Sequence, residues 1–216
     1  MSYRVKELFA TLQGEGARAG RAAVFCRFSG CNLWSGREAH RPTATCSFCD
    51  TDFVGTDGPG GGTFAEPDDL AGAVRATWDD HMGPGGEPYV VCTGGEPLLQ
   101  LDGPLVDALH RHGVEVGIET NGTLPVPPGV DWVCVSPKAG AELVVRTGDE
   151  LKVVHPQVGL DLDDLLALDF DHHLLQPMDR FERDLNEASA AEAVRYCLEH
   201  PGWRLSTQTH KQLGIP

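Results

Sequence analysis

Basic residues are scarce in this sequence. Seventeen Lys and Arg stand against 32 Asp and Glu, a formal net charge of -15 that is spread along the chain rather than held in a tail. A surface this acidic repels phosphate backbones, which argues against direct partners such as nucleic acid or an anionic membrane. Long hydrophobic runs are missing as well. MSYRVKELFATLQGEG has no unbroken apolar stretch of the kind a secretory signal needs, and no later run approaches a membrane span. The expectation is a soluble, cytoplasmic protein. In a reducing compartment its seven cysteines are free thiols or metal ligands, not a disulfide framework.

What is present suffices for one core. The chain has 216 residues, 41% of them hydrophobic, and reads as a single domain over 1–216. Short apolar runs at 22–28, 89–92, 114–118, 131–135, 151–154, 172–175 and 203–205 read as strands. Helical spacing separates several of them. Pro67 and two aspartates open a helix over 67–82. Leu98, Leu101 or Asp102, Leu105 and Leu109 share one helix face, and Ala188, Ala191, Val194 and Leu198 share another behind a cap at Asn186. GTDGPGGGTF (55–64) reads as a flexible loop. The fold class is α/β, an open and reduced (β/α) barrel of about six parallel strands, with a doubly wound sheet as the alternative. Each strand runs into a polar turn: SGC, TGGEP (93–97), ETNG (119–122), SPK (136–138), QPMD (176–179) and STQTH (206–210). That edge of a parallel sheet is where ligands bind.

Four cysteines have a plain reading. Cys26, Cys92 and Cys134 lie in β-rich runs and Cys197 on a helical pattern, where cysteine acts as a small buried hydrophobe. Cys31, Cys46 and Cys49 remain, with fourteen residues between the first two and two between the last two. A structural zinc site needs four closed ligands, and His40 is available as the fourth. A lone CxxC also suits a redox dithiol, which leaves Cys31 idle. Three thiolates on a four-iron, four-sulfur cluster leave one iron open to a ligand that is not protein.

Three cysteines in one loop after the first strand, followed by GGEP after the next, resemble the radical S-adenosylmethionine enzymes, whose usual spacing is three residues and then two. The wider set, LQGEG (12–16), FCRFSGCNLWSG (25–36), CSFCDTDF (46–53), TGGEP, ETNG, SPK, ELKVV (150–154), QPMD and a terminal QTHKQLGIP, is similar to the 7-carboxy-7-deazaguanine synthases with a wide first spacing, over nearly the whole chain. The fold then carries an inserted cluster-binding loop. The resemblance implies conversion of 6-carboxytetrahydropterin to 7-carboxy-7-deazaguanine with loss of ammonia, in queuosine or deazapurine biosynthesis. It implies a 4Fe-4S cluster on Cys31, Cys46 and Cys49, S-adenosylmethionine, and Mg²⁺ on Thr51. It implies an external electron donor such as a flavodoxin or ferredoxin, and a homodimer.

The same resemblance assigns roles at the matching positions. Gly94, Gly95 and Glu96 meet the methionine end of S-adenosylmethionine. Phe48, Cys49 and Asp50 meet its adenine side, and Ser136, Pro137 and Lys138 with Gln176, Pro177, Met178 and Asp179 complete the pocket; Glu119 and Asn121 are further candidates. The pterin falls to Leu12, Gln13, Gly14, Glu15, Arg27, Thr93, His210 and the terminal carboxylate of Pro216. Plain alternatives stand beside these roles. ETNG and LQGEG suit ordinary turns, Lys138 and His210 suit the surface, Arg27 suits a structural ion pair, Thr51 suits a turn cap, and a chain end is commonly frayed. Two other functions share part of the pattern: an activating enzyme for a glycyl-radical partner, and a non-enzymatic zinc-binding module.

Overall fold

The computed structural model describes residues 2–216. Its nine strands are β1 (Tyr3–Leu12), β2 (Ala22–Phe28), β3 (Gly62–Phe64), β4 (Tyr89–Gly94), β5 (Glu115–Thr120), β6 (Trp132–Val135), β7 (Thr147–His155), β8 (Asp169–Pro177) and β9 (Arg204–Leu205). They form one sheet in the order β3-β1-β2-β4-β5-β6-β7-β8-β9. The run from β2 to β9 is parallel, and β1 pairs antiparallel with both β2 and β3. The two ends do not meet, so the sheet is open, as expected from too few parallel strands for a closed eight-stranded barrel. The helices are α1 (Pro67–His81), α2 (Gly103–Arg111), α3 (Leu162–Leu166), α4 (Arg183–Glu199) and α5 (Thr209–Leu213).

Side chains alternate across each strand, and the two faces of this sheet have opposite characters. Val24, Cys26 and Phe28 of β2, Val90 and Cys92 of β4, and Val116 and Ile118 of β5 are buried in one core with Leu70, Val74 and Trp78 of α1 and Leu105 and Leu109 of α2. Val135, Leu151, Val153 and Leu175 continue the apolar face into a second cluster with Leu165 of α3 and Trp203. The intervening residues Phe25, Arg27, Thr93, Glu119, Lys152, Val154 and Gln176 face the other way and line a cavity. The register sets Arg27 beside Thr93, Glu119 beside Cys134, and Cys134 beside Glu150.

Several elements depart from the sequence reading. β1 carries no clean alternation, because its register slips between Val5 and Glu7. The glycine-rich 55–64 stretch is built structure rather than a flexible loop. Gly62–Phe64 pairs with β1, and Gly58 N–H donates to Lys6 O at 2.9 Å. A Cβ on Gly61 would lie 2.2 Å from Lys6 O, so the approach requires glycine there. The helix expected from Leu98 starts only at Gly103. Asp102 caps it, accepting from Leu105 N–H at 3.1 Å, and Pro104 sits in the first turn. Residues Pro97–Leu99 form a separate 3-10 turn. The last long helix begins at Arg183, before Asn186, whose amide binds Asp179 and Arg180 instead of capping. It buries Ser189 and Ala193, while Ala188, Ala191, Val194 and Leu198 are exposed. Small residues let α4 approach β8 closely, and that selects its inner face.

Candidate active site

The cavity holds about 370 Å³ at the C-terminal edge of the parallel strands. Of the predicted site residues, all but Glu96, Pro137 and Met178 line it. Cys31, Cys46, Phe48, Cys49, Asp50 and Thr51 form one wall. Leu12 to Glu15 and Arg27 form another with Thr93, and His210 and Pro216 approach from the chain end.

The cysteine loop is held from outside by its own spacer. Residues Glu38–Thr43 form a 3-10 turn. From it Arg41 Nη1 donates to the carbonyls of Ser47 and Cys49, both at 2.9 Å, and its guanidinium stacks 4.1 Å over Trp34. Trp34 in turn packs edge-on to Phe53. Leu33 N–H donates to Cys31 Sγ at 3.4 Å. Burial pushes the Cys31 thiol up, against the pull of the Leu33 and Trp34 N–H groups. Cys46 and Cys49 act on each other as a coupled pair, and a proton held between them favours the thiol of Cys46 and the thiolate of Cys49. That coupling pushes Cys46 up and brings Cys49 down to about 6 in spite of burial. His40 takes no part. It is exposed, does not line the cavity, and its Nδ1 pairs with Ser35 Oγ at 2.8 Å. Among the described residues no fourth cysteine lines the cavity. Three thiols lining one cavity without a fourth suit a cluster with one open iron.

The TGGEP turn does a different job from the one its residue types suggest. A Cβ on Gly94 would lie 2.2 Å from Phe28 O, and one on Gly95 would lie 2.1 Å from Gly30 O. The close approach that demands glycine is to the chain after β2, and Glu96 N–H donates to Gly30 O at 2.9 Å. The Glu96 carboxylate is fully buried and accepts from Leu98 N–H at 3.0 Å, Thr120 Oγ1 at 2.7 Å and Asn121 N–H at 2.8 Å. It braces the turn and does not reach the cavity. Asn121 Nδ2 donates to Asn32 Oδ1 at 3.0 Å, so ETNG, a turn with Gly122 at φ 76°, also grips the residue after Cys31. Pro137 is buried, and Met178 N–H donates to His155 O. Lys138 bonds Ser136 Oγ at 2.7 Å, and burial pulls its ammonium down against the raising influence of Cys46, Cys49 and Glu96.

On the opposite wall Arg27 Nε donates to Glu7 Oε1 at 2.6 Å, with Phe9 and Phe25 stacked alongside. The ion pair uses only one edge of the guanidinium. Glu15 pairs with Lys152 Nζ at 2.7 Å and accepts from Gln208 at 2.9 Å. Burial alone would push the Glu15 carboxyl up; Lys152, Gln208 and Gln176 outweigh it and hold it down at about 2. The chain end docks over this wall. Thr209 N–H and Oγ1 both donate to Gly14 O at 2.8 Å, and Thr11 Oγ1 donates to Pro216 O at 2.9 Å. Lys211 bridges Asp50 and Asp179. A Cβ on Gly14 would strike the His210 ring.

Sequence reasoning missed Lys152, Glu7, Gln208 and Lys211. Only Lys152 had a clear signal: a lone charge alternating with Leu151 and Val153 on a strand, facing away from their core.

No protein-family model matches the chain. Curated relatives do, along their full lengths. A 7-carboxy-7-deazaguanine synthase of Nitratidesulfovibrio vulgaris is 61% identical over 216 residues, covering 100% of both chains. One from Bordetella pertussis matches equally, and one from Bacteroides thetaiotaomicron is 40% identical over 215 residues, again covering 100% of both. Among solved structures, QueE from Escherichia coli superposes with a TM-score of 0.69 at 29% identity, over 97% of this chain and 95% of that one. Among the described residues no helix is long and apolar enough to cross a membrane. With the cavity, its thiol wall and these full-length matches together, the chain belongs to the 7-carboxy-7-deazaguanine synthase family.

Proposed function

We propose that the cavity binds 6-carboxytetrahydropterin and S-adenosylmethionine side by side and converts the pterin to 7-carboxy-7-deazaguanine with loss of ammonia. The observation that carries this reading is the meeting of Cys31, Cys46 and Cys49 with the strand-end residues on one enclosed surface. When bound on those thiolates, a 4Fe-4S cluster and S-adenosylmethionine supply the one-electron chemistry that starts a radical on the pterin. An electron donor of the flavodoxin or ferredoxin type feeds that chemistry from outside.

The chain's own residues bind, orient and shield. Gly94 and Gly95, which line the cavity where the turn packs against Cys31, face the methionine end of S-adenosylmethionine. Phe48, Cys49 and Asp50 flank its adenine, and Ser136, Lys138, Gln176, Pro177 and Asp179 close the pocket. The Nη groups of Arg27, which donate to no protein acceptor among the described residues, offer a fork for the pterin carboxylate. Thr51 offers a hydroxyl to Mg²⁺ next to that carboxylate. Gln13, Glu15, Thr93, His210 and the Pro216 carboxylate address the rest of the pterin, and the docked chain end limits access of water.

Anaerobic reconstitution followed by turnover tests the reading. The expected result is a broad brown absorbance, about four irons per chain, release of ammonia, and no net consumption of S-adenosylmethionine. Binding of zinc alone without that absorbance, or a loaded protein that leaves the pterin untouched, overturns it.

A further inference from the structure

Lys152 is the most enclosed charge of the cavity, with its side chain 3% exposed. Its Nζ lies 2.7 Å from Glu15 Oε2 and 3.2 Å from Glu119 Oε1. The two carboxylates arrive from different places, Glu15 from the turn after β1 and Glu119 from the end of β5. Each is held by a further amide: Gln208 donates to Glu15 Oε1 at 2.9 Å, and Gln13 donates to Glu119 Oε1 at 2.9 Å. Glu119 Oε2 accepts from no protein group among the described residues, and Glu119 lines the cavity. One buried cation therefore sits between two carboxylates that both face the ligand space.

The other charged or titratable groups nearby are accounted for. Glu150, on the same strand, accepts from Ala17 N–H at 2.9 Å and from Cys134 Sγ at 3.3 Å. Lys138, past the end of β6, bonds Ser136. β8 and the chain end contribute the neutral Gln176, Ser206 and Gln208 to this spot, and the chain end also sets the His210 ring against Gly14, next to Glu15. Lys152 is thus the only ammonium that touches Glu15 or Glu119 among the described residues.

We propose that Lys152 is a positioning residue: its ammonium lets Glu15 and Glu119 stand ionised side by side, so that both accept N–H donors from the aminopyrimidinone edge of the pterin. This rests on the function proposed above. A pterin ring carries a 2-amino group and a ring N–H, a row of donors that two carboxylates match and a protonated carboxyl does not. Without the cation, two half-buried carboxylates that had flanked one ammonium repel each other, and a proton held between them relieves that repulsion.

Lys152→Met keeps the volume and removes the charge. The test compares the parent, Lys152→Met and Lys152→Met/Glu119→Gln, all without reductant. Equilibrium binding of 6-carboxytetrahydropterin and the infrared C=O band of a protonated carboxyl are followed between about pH 6 and about pH 8.5. The parent should bind with little pH dependence and show no band from this pair. Lys152→Met should bind about tenfold more weakly near pH 6, as for loss of a charge-assisted hydrogen bond. It should recover affinity as pH rises, with the band disappearing in step. The double variant should lose both the band and the pH dependence. Parent-like binding in Lys152→Met, or a uniform loss with no band, overturns the proposal. If Lys152→Met alone does not fold, recovery of folded protein by adding Glu119→Gln supports the same repulsion, and no recovery overturns it. If the parent itself fails to bind the pterin, the proposed function falls, while the infrared band still decides the role of Lys152.

Discussion

Glu96 is enclosed on every side, and its carboxylate accepts from the Leu98 N–H, the Thr120 hydroxyl and the Asn121 N–H. These bonds tie the end of β4 to the end of β5, so Cys31, lying against Gly95, and Asn32, held by Asn121, are fixed relative to each other. Glu96→Ala leaves three donors without their acceptor and a void between two strand ends. The expected loss of folding stability is on the order of 3 kcal/mol. Urea unfolding should show it without any ligand present. A loss below about 1 kcal/mol would mean that the carboxylate serves a ligand rather than the fold. The same residue shows where sequence reading stops. GGEP announces a ligand-binding turn by composition, but which of its groups faces inward depends on the neighbouring chain at Phe28 and Gly30. Lys152 is the converse case: its alternation with Leu151 and Val153 marks it as facing away from their core, but its meeting with Glu15 and Glu119 is a contact between distant elements that the sequence does not show.

At the scale of elements, the parallel strands were legible because their apolar runs are short and end in polar turns. β1 and β3 were not, since a register slip spoils the alternation of the first and glycine hides the second. The chain end was least legible. Read as sequence, QTHKQLGIP is a tail; in the structure α5 is five residues long and docked, closed by Gly214 at φ 65°. Its contacts are long-range and polar, from Thr209 to Gly14, Gln208 to Glu15, and Lys211 to Asp50 and Asp179. Such contacts leave no periodic trace. They set Pro216 against Thr11 at the cavity rim. On the proposed function, in which the Pro216 carboxylate addresses the pterin, appending a few glycines and serines after Pro216 moves that group from the rim without touching the core. The pterin KM should then rise about tenfold, with the melting temperature unchanged. An unchanged KM would assign the carboxylate to Thr11 alone.

For the molecule as a whole, charge sets the terms of substrate capture. The chain carries -15, yet the cavity is nearly balanced, lined by five basic and six acidic side chains. The excess of negative charge therefore lies outside the cavity, where it faces an arriving substrate before Arg27 or Lys152 can act on it. The pterin is an anion, so the far field opposes its approach while the near field is close to neutral. Salt screens the far field first: the Debye length falls from about 30 Å at about 10 mM to about 8 Å at about 150 mM. The association rate of 6-carboxytetrahydropterin should accordingly rise two- to threefold, as an order-of-magnitude figure, over that range. A neutral pterin lacking the carboxylate should show no such rise. Stopped-flow binding without reductant measures both. A rate that instead falls with salt would place control of encounter with the basic groups at the mouth, Arg27, Lys138 and Lys211, rather than with the acidic exterior.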